Sequence, residues 1–202
     1  MRGKFITFEG VDGAGKSTHV EWFANELRLA GHAVLVTREP GGSQLAEKLR
    51  ELVLHEPMDA VTETLLVFAA RDDHLKKLIL PALTGGTWVV CDRFTDATVA
   101  YQGGGKGVHA GLIEALRKVV HPDLMPTCTL VFDCPYEVSR ERMLKSGRAL
   151  DRFEREGQPF FERVRRAYLA LAKAEPVRVR VVDSTQTLEA IRLHLSALMA
   201  EL

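Results

Sequence analysis

Gly10-Val11-Asp12-Gly13-Ala14-Gly15-Lys16-Ser17 is the stretch on which the fold turns. It fits the pattern GxxxxGK[ST] without a mismatch. The apolar run Phe5-Ile6-Thr7-Phe8 precedes it, and an amphipathic pattern over Ser17 to Ala30 follows. Strand, glycine loop and helix in that order are the setting a phosphate-binding loop requires. Glycines let the backbone curl so that successive N–H groups point inward at phosphate oxygens. The helix that starts near Lys16 adds the positive end of its dipole. Lys16 is expected to bridge the β- and γ-phosphates of a nucleotide, and the Ser17 hydroxyl to ligate Mg²⁺.

Outward from the loop, short β-rich runs alternate with longer helical ones. Candidate strands are Ala33–Thr37, Trp88–Cys91, Thr129–Phe132 and Val179–Val182, in addition to Phe5–Phe8. The first four in chain order are apolar on both faces, as parallel strands covered on each side must be. The last alternates more and suits an edge. Helical patterns cover Gln44–Leu54, Thr62–Leu80, Gly111–Val120, Tyr136–Ser146, Pro159–Ala174 and Leu188–Leu202. The helix from Thr62 is expected to end near Pro81, and Gly103-Gly104-Gly105 to form a local loop. This alternation predicts one α/β domain, residues 1–202, around a parallel sheet.

The chain of 202 residues holds 27 basic and 27 acidic side chains. Zero net charge argues against a dedicated nucleic-acid binder, though not against a local basic pocket. Cys91, Cys128 and Cys134 form no CxxC pair, so neither a disulfide framework nor a zinc site is expected. Seven histidines show no metal-ligand spacing, and His74 and His121 read as locally satisfied. Met1-Arg2-Gly3-Lys4 leads straight into a strand, with no secretory pattern. No apolar run approaches the ~20 residues that span a bilayer. A soluble, reduced, cytoplasmic protein is expected.

A second chemical signal is Trp88-Val89-Val90-Cys91-Asp92, an apolar strand ending in a carboxylate. Such an aspartate commonly helps hold Mg²⁺ beside a phosphate loop. Thr129 to Asp133 has the same form. Asp92 is favoured because Arg93, a charge-neutralising candidate, and a polar glycine-rich stretch follow it. No NKxD-type guanine reader is found, and the chain is short for a mechanical ATPase.

Three further segments carry a resemblance: Thr37-Arg38-Glu39-Pro40-Gly41-Gly42, Asp92-Arg93-Phe94 continuing to Tyr101-Gln102-Gly103-Gly104-Gly105, and Arg148-Ala149-Leu150-Asp151-Arg152-Phe153-Glu154. In order and spacing, with the phosphate loop, they resemble the thymidylate kinase family of bacterial type over almost the whole chain. The resemblance implies γ-phosphoryl transfer from ATP to dTMP, giving ADP and dTDP for dTTP biosynthesis. It implies a P-loop fold of nucleoside-monophosphate-kinase type with five parallel strands in the order 2-3-1-4-5. It also implies a homodimer, with no nucleic-acid or membrane partner.

Residue roles come over only where positions match. Gly10, Val11, Asp12, Gly13, Ala14, Gly15, Lys16, Ser17 and Thr18 would hold ATP. Asp12 and Glu39 match carboxylates near the acceptor phosphate. Pro40 is expected after a cis peptide bond, and Arg50 near that phosphate. Arg93 would clamp it and stabilise transition-state charge. Phe68 matches the aromatic that stacks on thymine, although its spacing to Arg71 is one residue shorter than in many relatives. Arg71 matches the donor to the thymine O4. Thr98 and Gln102 match polar positions at the base, and Tyr101 the ring that packs on the deoxyribose.

Some relatives carry an arginine within the phosphate loop, where this chain has Gly13. A lid over about 140–155 then has to supply the charge. Arg148 is the first choice, Arg152 the second, and Arg142 is placed nearer the adenine. Arg163, Arg165 and Arg166 read as surface charge. Two rivals stand beside this reading. One is a kinase for another pyrimidine nucleotide or deoxynucleoside. The other is a nucleotide-dependent switch, in which Arg71, Arg93 and Gln102 would have no acceptor to meet.

Overall fold

The computed structural model describes residues 3–145, 147 and 151–202. Five strands form one parallel sheet: β1 (Phe5–Gly10), β2 (Val34–Arg38), β3 (Trp88–Asp92), β4 (Cys128–Asp133) and β5 (Val179–Asp183). Their order is β2-β3-β1-β4-β5, as the resemblance implies, and β5 is an edge as its alternation predicts. Every residue of β1 is buried. Phe5, Ile6 and Phe8 each contribute ~1.5–3 kcal/mol by leaving water, so the strand that carries the loop is the best-anchored element.

The helices are α1 (Lys16–Leu29), α2 (Gln44–His55), α3 (Ala60–His74), α4 (Leu80–Thr84), α5 (Thr95–Thr98), α6 (Ala110–Val120), α7 (Tyr136–Lys145), α8 (Gln158–Ala174) and α9 (Leu188–Ala200). Several of their starts are capped by side chains that satisfy free N–H groups. Ser43 accepts from Ala46, Asp59 from Val61 and Thr62, and Thr187 from Ala190. One core lies between β1, β4, α1, α8 and α9, and a second between β1, β3 and α4.

Two expectations change. The helix from Thr62 does not stop near Pro81. A π turn over Leu75–Ile79 joins α3 to α4, and Pro81 lies in the first turn of α4, a position where proline is tolerated. Nor is Gly103-Gly104-Gly105 a loop. It closes a π-helical segment, Val99–Gly105, that continues α5 and packs on α8. The reason is close approach. A Cβ on Gly104 would lie 2.6 Å from the Ala167 Cβ, and one on Gly105 2.5 Å from the Phe160 ring. Gly104→Ala is therefore expected to destabilise the protein by ~1–3 kcal/mol through overpacking. A melting temperature equal to the wild type would contradict this packing account.

Candidate active site

The phosphate loop leaves β1 at Gly10 and enters α1 at Lys16, with positive φ at Gly10, Gly13 and Gly15. The Lys16 ammonium bends back onto the loop, donating to the carbonyls of Gly10 (3.1 Å) and Val11 (3.0 Å). Burial, reinforced by Arg93, lowers its pKa. Ser17 and Thr18 are exposed at the start of α1, facing the cleft they line.

Arg93 follows β3 in a left-handed conformation, φ 73°, which is unusual for a side-chain-bearing residue. Its guanidinium donates to the Gly10 carbonyl (2.9 Å), to Asp12 (2.5 Å) and to the Tyr101 hydroxyl (3.1 Å). Tyr101 in turn donates to the other Asp12 oxygen at 2.8 Å. Burial alone would raise the Asp12 carboxyl, but Arg93 and Lys16 hold it below its usual range. Beneath this group lies Glu9, fully buried, accepting from the Phe94 N–H (2.7 Å) and the Tyr168 hydroxyl (2.8 Å). Burial, with like charge from Asp96, pushes Glu9 up to about 8.

A second group forms around Glu39, which follows β2 and precedes a cis bond to Pro40, as expected. Arg71 donates to Glu39 (2.7 Å) and to Thr98 (3.1 Å), and His74 pairs with the other Glu39 oxygen at 3.1 Å. Burial opposes the Glu39 charge, yet Arg71 and His74 prevail and its pKa falls. The remaining nitrogen of Arg71, Nη1, is buried with no partner among the described residues.

Two clefts meet here. One is lined by Arg71, Phe94, Thr98, Tyr101, Gln102 and Phe153. The other runs along the phosphate loop past Asp92, Arg142 and Ser184. Asp12, Glu39, Arg50, Arg93 and Asp151 line both. A nucleotide on the loop and a second molecule beside Arg71 would present their ends to each other across that shared wall.

A family model described as thymidylate kinase matches residues 8–194. The chain belongs to the thymidylate kinase family. It is 56% identical over 201 residues to the thymidylate kinase of Bordetella pertussis, covering 100% of this chain and 96% of that one. It is 52% identical over 202 residues to that of Cupriavidus metallidurans, with both chains fully covered. The crystal structure of thymidylate kinase from Ehrlichia chaffeensis superposes with a TM-score of 0.79 at 32% identity, over 98% of this chain and 99% of that one. The activity of the thymidylate kinase family is that of an ATP-dependent nucleoside monophosphate kinase.

Most positions carried over from that family converge. Arg50 donates to the Pro40 carbonyl at 2.8 Å on the shared wall. Asp92 lines the loop cleft, and its Oδ1 is buried with no partner among the described residues. With the exposed Ser17 hydroxyl it suits Mg²⁺, which takes one or two protein oxygens and completes its shell with phosphates and water. Arg142 reaches from α7 to the carbonyls of Ala14 (3.3 Å) and Ser184 (2.7 Å), directly over the loop.

Two residues are placed otherwise. Phe68 does not line the acceptor cleft. It is buried against Val108 and Ile113, and Val67, one position earlier on α3, faces the cleft instead. The one-residue difference in spacing turns the ring about a quarter of a helical turn away. Arg152 lies away from the phosphate loop, bonded to Glu63 and to the Val53 carbonyl (2.7 Å). Arg148 lies outside the described residues. Arg163 and Arg165 are not bare surface charge. Arg163 donates to the Gly105 carbonyl, and Arg165 pairs with both oxygens of Asp133.

The residues that sequence reasoning missed are Glu9, Glu63, Asp151 and Tyr168. Glu63 had a signal: Glu63, Val67 and Arg71 recur at four-residue spacing on one face of α3. Glu9 stands as a lone carboxylate in an apolar run. Tyr168 continues the apolar stripe of α8 with Phe161 and Val164, so nothing marks its hydroxyl as polar machinery.

Proposed function

We propose that the loop cleft holds ATP with Mg²⁺, that the cleft beside Arg71 holds dTMP, and that the transfer occurs at their shared wall. The observation that carries this is the pair of clefts joined at Asp12, Glu39, Arg50, Arg93 and Asp151. An oxygen of the acceptor phosphate forms the new bond to Pγ, while the bond from Pγ to the β–γ bridging oxygen breaks and ADP leaves with that electron pair. No proton has to be removed from the acceptor, so no strong base is needed. Lys16 shifts from its loop carbonyls to the β- and γ-phosphates. Arg93 offers its guanidinium to the acceptor phosphate, and Asp12 keeps it aimed. Arg142 adds charge over the loop. Ser17 and Asp92 are the groups that would hold Mg²⁺, which supplies charge neutralisation between the β- and γ-phosphates.

Tyr101, pinned by Asp12 and Arg93 in the acceptor cleft, is the ring that would pack on the acceptor sugar and disfavour a 2′-hydroxyl. A homodimer belongs to the same reading. It is supported by the family likeness and by Val61 and Leu65, which stand exposed on α3. A cytoplasmic setting is supported by three cysteines that are all unpaired. No helix among the described residues is long and apolar enough to cross a membrane.

The test is ADP release with dTMP, dUMP, dCMP and thymidine as acceptors. The expected kcat/KM for dTMP exceeds that for dCMP and thymidine by ~10² or more, since both lack groups the cleft is built to bond. Preference for thymidine or dCMP would replace this reading with the rival kinase. Hydrolysis indifferent to every acceptor would support a switch.

A further inference from the structure

Glu63 is wholly buried on α3, and no role in the reaction described above uses it. One oxygen, Oε1, accepts from the Gln102 side-chain Nε2 at 2.8 Å. The other, Oε2, is engaged by two cations, Lys106 (2.6 Å) and Arg152. Both cations also lie over the ring of Phe153, which lines the acceptor cleft together with Gln102. A carboxylate only accepts hydrogen bonds, whereas an amide has one donor end and one acceptor end. Gln102 must therefore turn its NH₂ toward Glu63. The end it has left for a bound base is the carbonyl oxygen, an acceptor.

Across the same cleft, Arg71 has its Nη1 buried with no partner among the described residues, while its other nitrogens are spent on Glu39 and Thr98. The cleft thus offers a donor from Arg71 and an acceptor from Gln102. Thymine and uracil present a carbonyl next to a ring N–H and match both. Cytosine presents an amino group next to a bare ring nitrogen and matches neither.

We propose that Glu63 is a specificity-determining positioning residue: by orienting the Gln102 amide, it makes the acceptor cleft select a base with a ring N–H and reject cytosine. The proposal rests on the reading that this cleft takes dTMP. Lys106 and Arg152 are part of the device, because they dictate what any replacement at position 63 can do. In Glu63→Gln the two cations claim the new amide oxygen, so its NH₂ points at Gln102. Gln102 must then accept, and its own NH₂ swings toward the base.

The experiment is steady-state kinetics of wild type, Glu63→Gln and Gln102→Met with dTMP, dUMP and dCMP. In Glu63→Gln the ratio of kcat/KM for dTMP to that for dCMP should fall roughly 10- to 100-fold, the scale of one buried mismatched hydrogen bond. Most of the loss should appear in the KM for dTMP. The dTMP to dUMP ratio should stay at its wild-type value, because the two bases share that edge. A merely structural role would lower all three acceptors together, and that outcome overturns the proposal. If Glu63→Gln does not fold, Gln102→Met decides. Its dTMP to dCMP ratio must drop, and an unchanged ratio leaves Glu63 nothing to act through. A wild-type enzyme that fails to phosphorylate dTMP overturns the acceptor assignment itself, and this shows before any variant is compared.

Discussion

Lys16→Met is expected to lower kcat by ~10³-fold while the protein stays folded. The methionine keeps most of the unbranched apolar stem and removes the ammonium with its charge and its donors. Among the described residues the Lys16 ammonium bonds only the Gly10 and Val11 carbonyls, and repulsion from Arg93 is set against its attraction to Asp92, Asp12 and Glu9. Its removal therefore costs the fold little. Catalysis has no such reserve, because positioning and charge neutralisation are nearly all that phosphoryl transfer asks of a protein. Circular dichroism and the melting temperature should match wild type, while ADP release with saturating dTMP collapses. Near wild-type turnover would remove Lys16 from the reaction and, with it, the assignment of the loop cleft to ATP.

Arg93→Lys is expected to cost ~10²–10³-fold in kcat/KM for dTMP, even though charge is retained. Arg93 acts through shape. Its planar fork spans the Gly10 carbonyl, Asp12 and Tyr101 at once, and a lysine can reach only part of that set. Asp12 would lose its guanidinium hydrogen bond, and Tyr101 would lose one of its two anchors. KM for dTMP should rise as kcat falls, because the same guanidinium faces both clefts. A change in kcat alone, with KM for dTMP unaltered, would confine Arg93 to the donor side.

How much of this was legible in the sequence depends on the range of the interaction. The octet Gly10–Ser17 reads directly, since a phosphate loop is a pattern of neighbouring residues whose glycines and backbone N–H groups set its local shape. Glu39, Arg50, Arg71, Arg93, Tyr101 and Gln102 were reachable because their segments resemble a family. Phe68 was misplaced. The aromatic is present, but one residue on a helix is about 100° of rotation, and this rotation sends the ring into the core. The segment after Asp92 was misread as open loop. Its glycines serve contact with α8, and nothing local in Gly103-Gly104-Gly105 announces a partner some sixty residues away.

The sequence by itself determined the sheet, the order of its elements and the chemistry of the phosphate loop. Periodicity and glycine spacing are properties of neighbours in the chain, and physics ties them to local geometry. Only the tertiary structure decided how the carboxylates are used. Glu9 under Tyr168, Glu39 between Arg71 and His74, and Glu63 between Gln102 and two cations are each assembled from separate elements. A buried carboxyl is tolerable only where partners from elsewhere in the fold meet it, so its role is written in three dimensions and not along the chain.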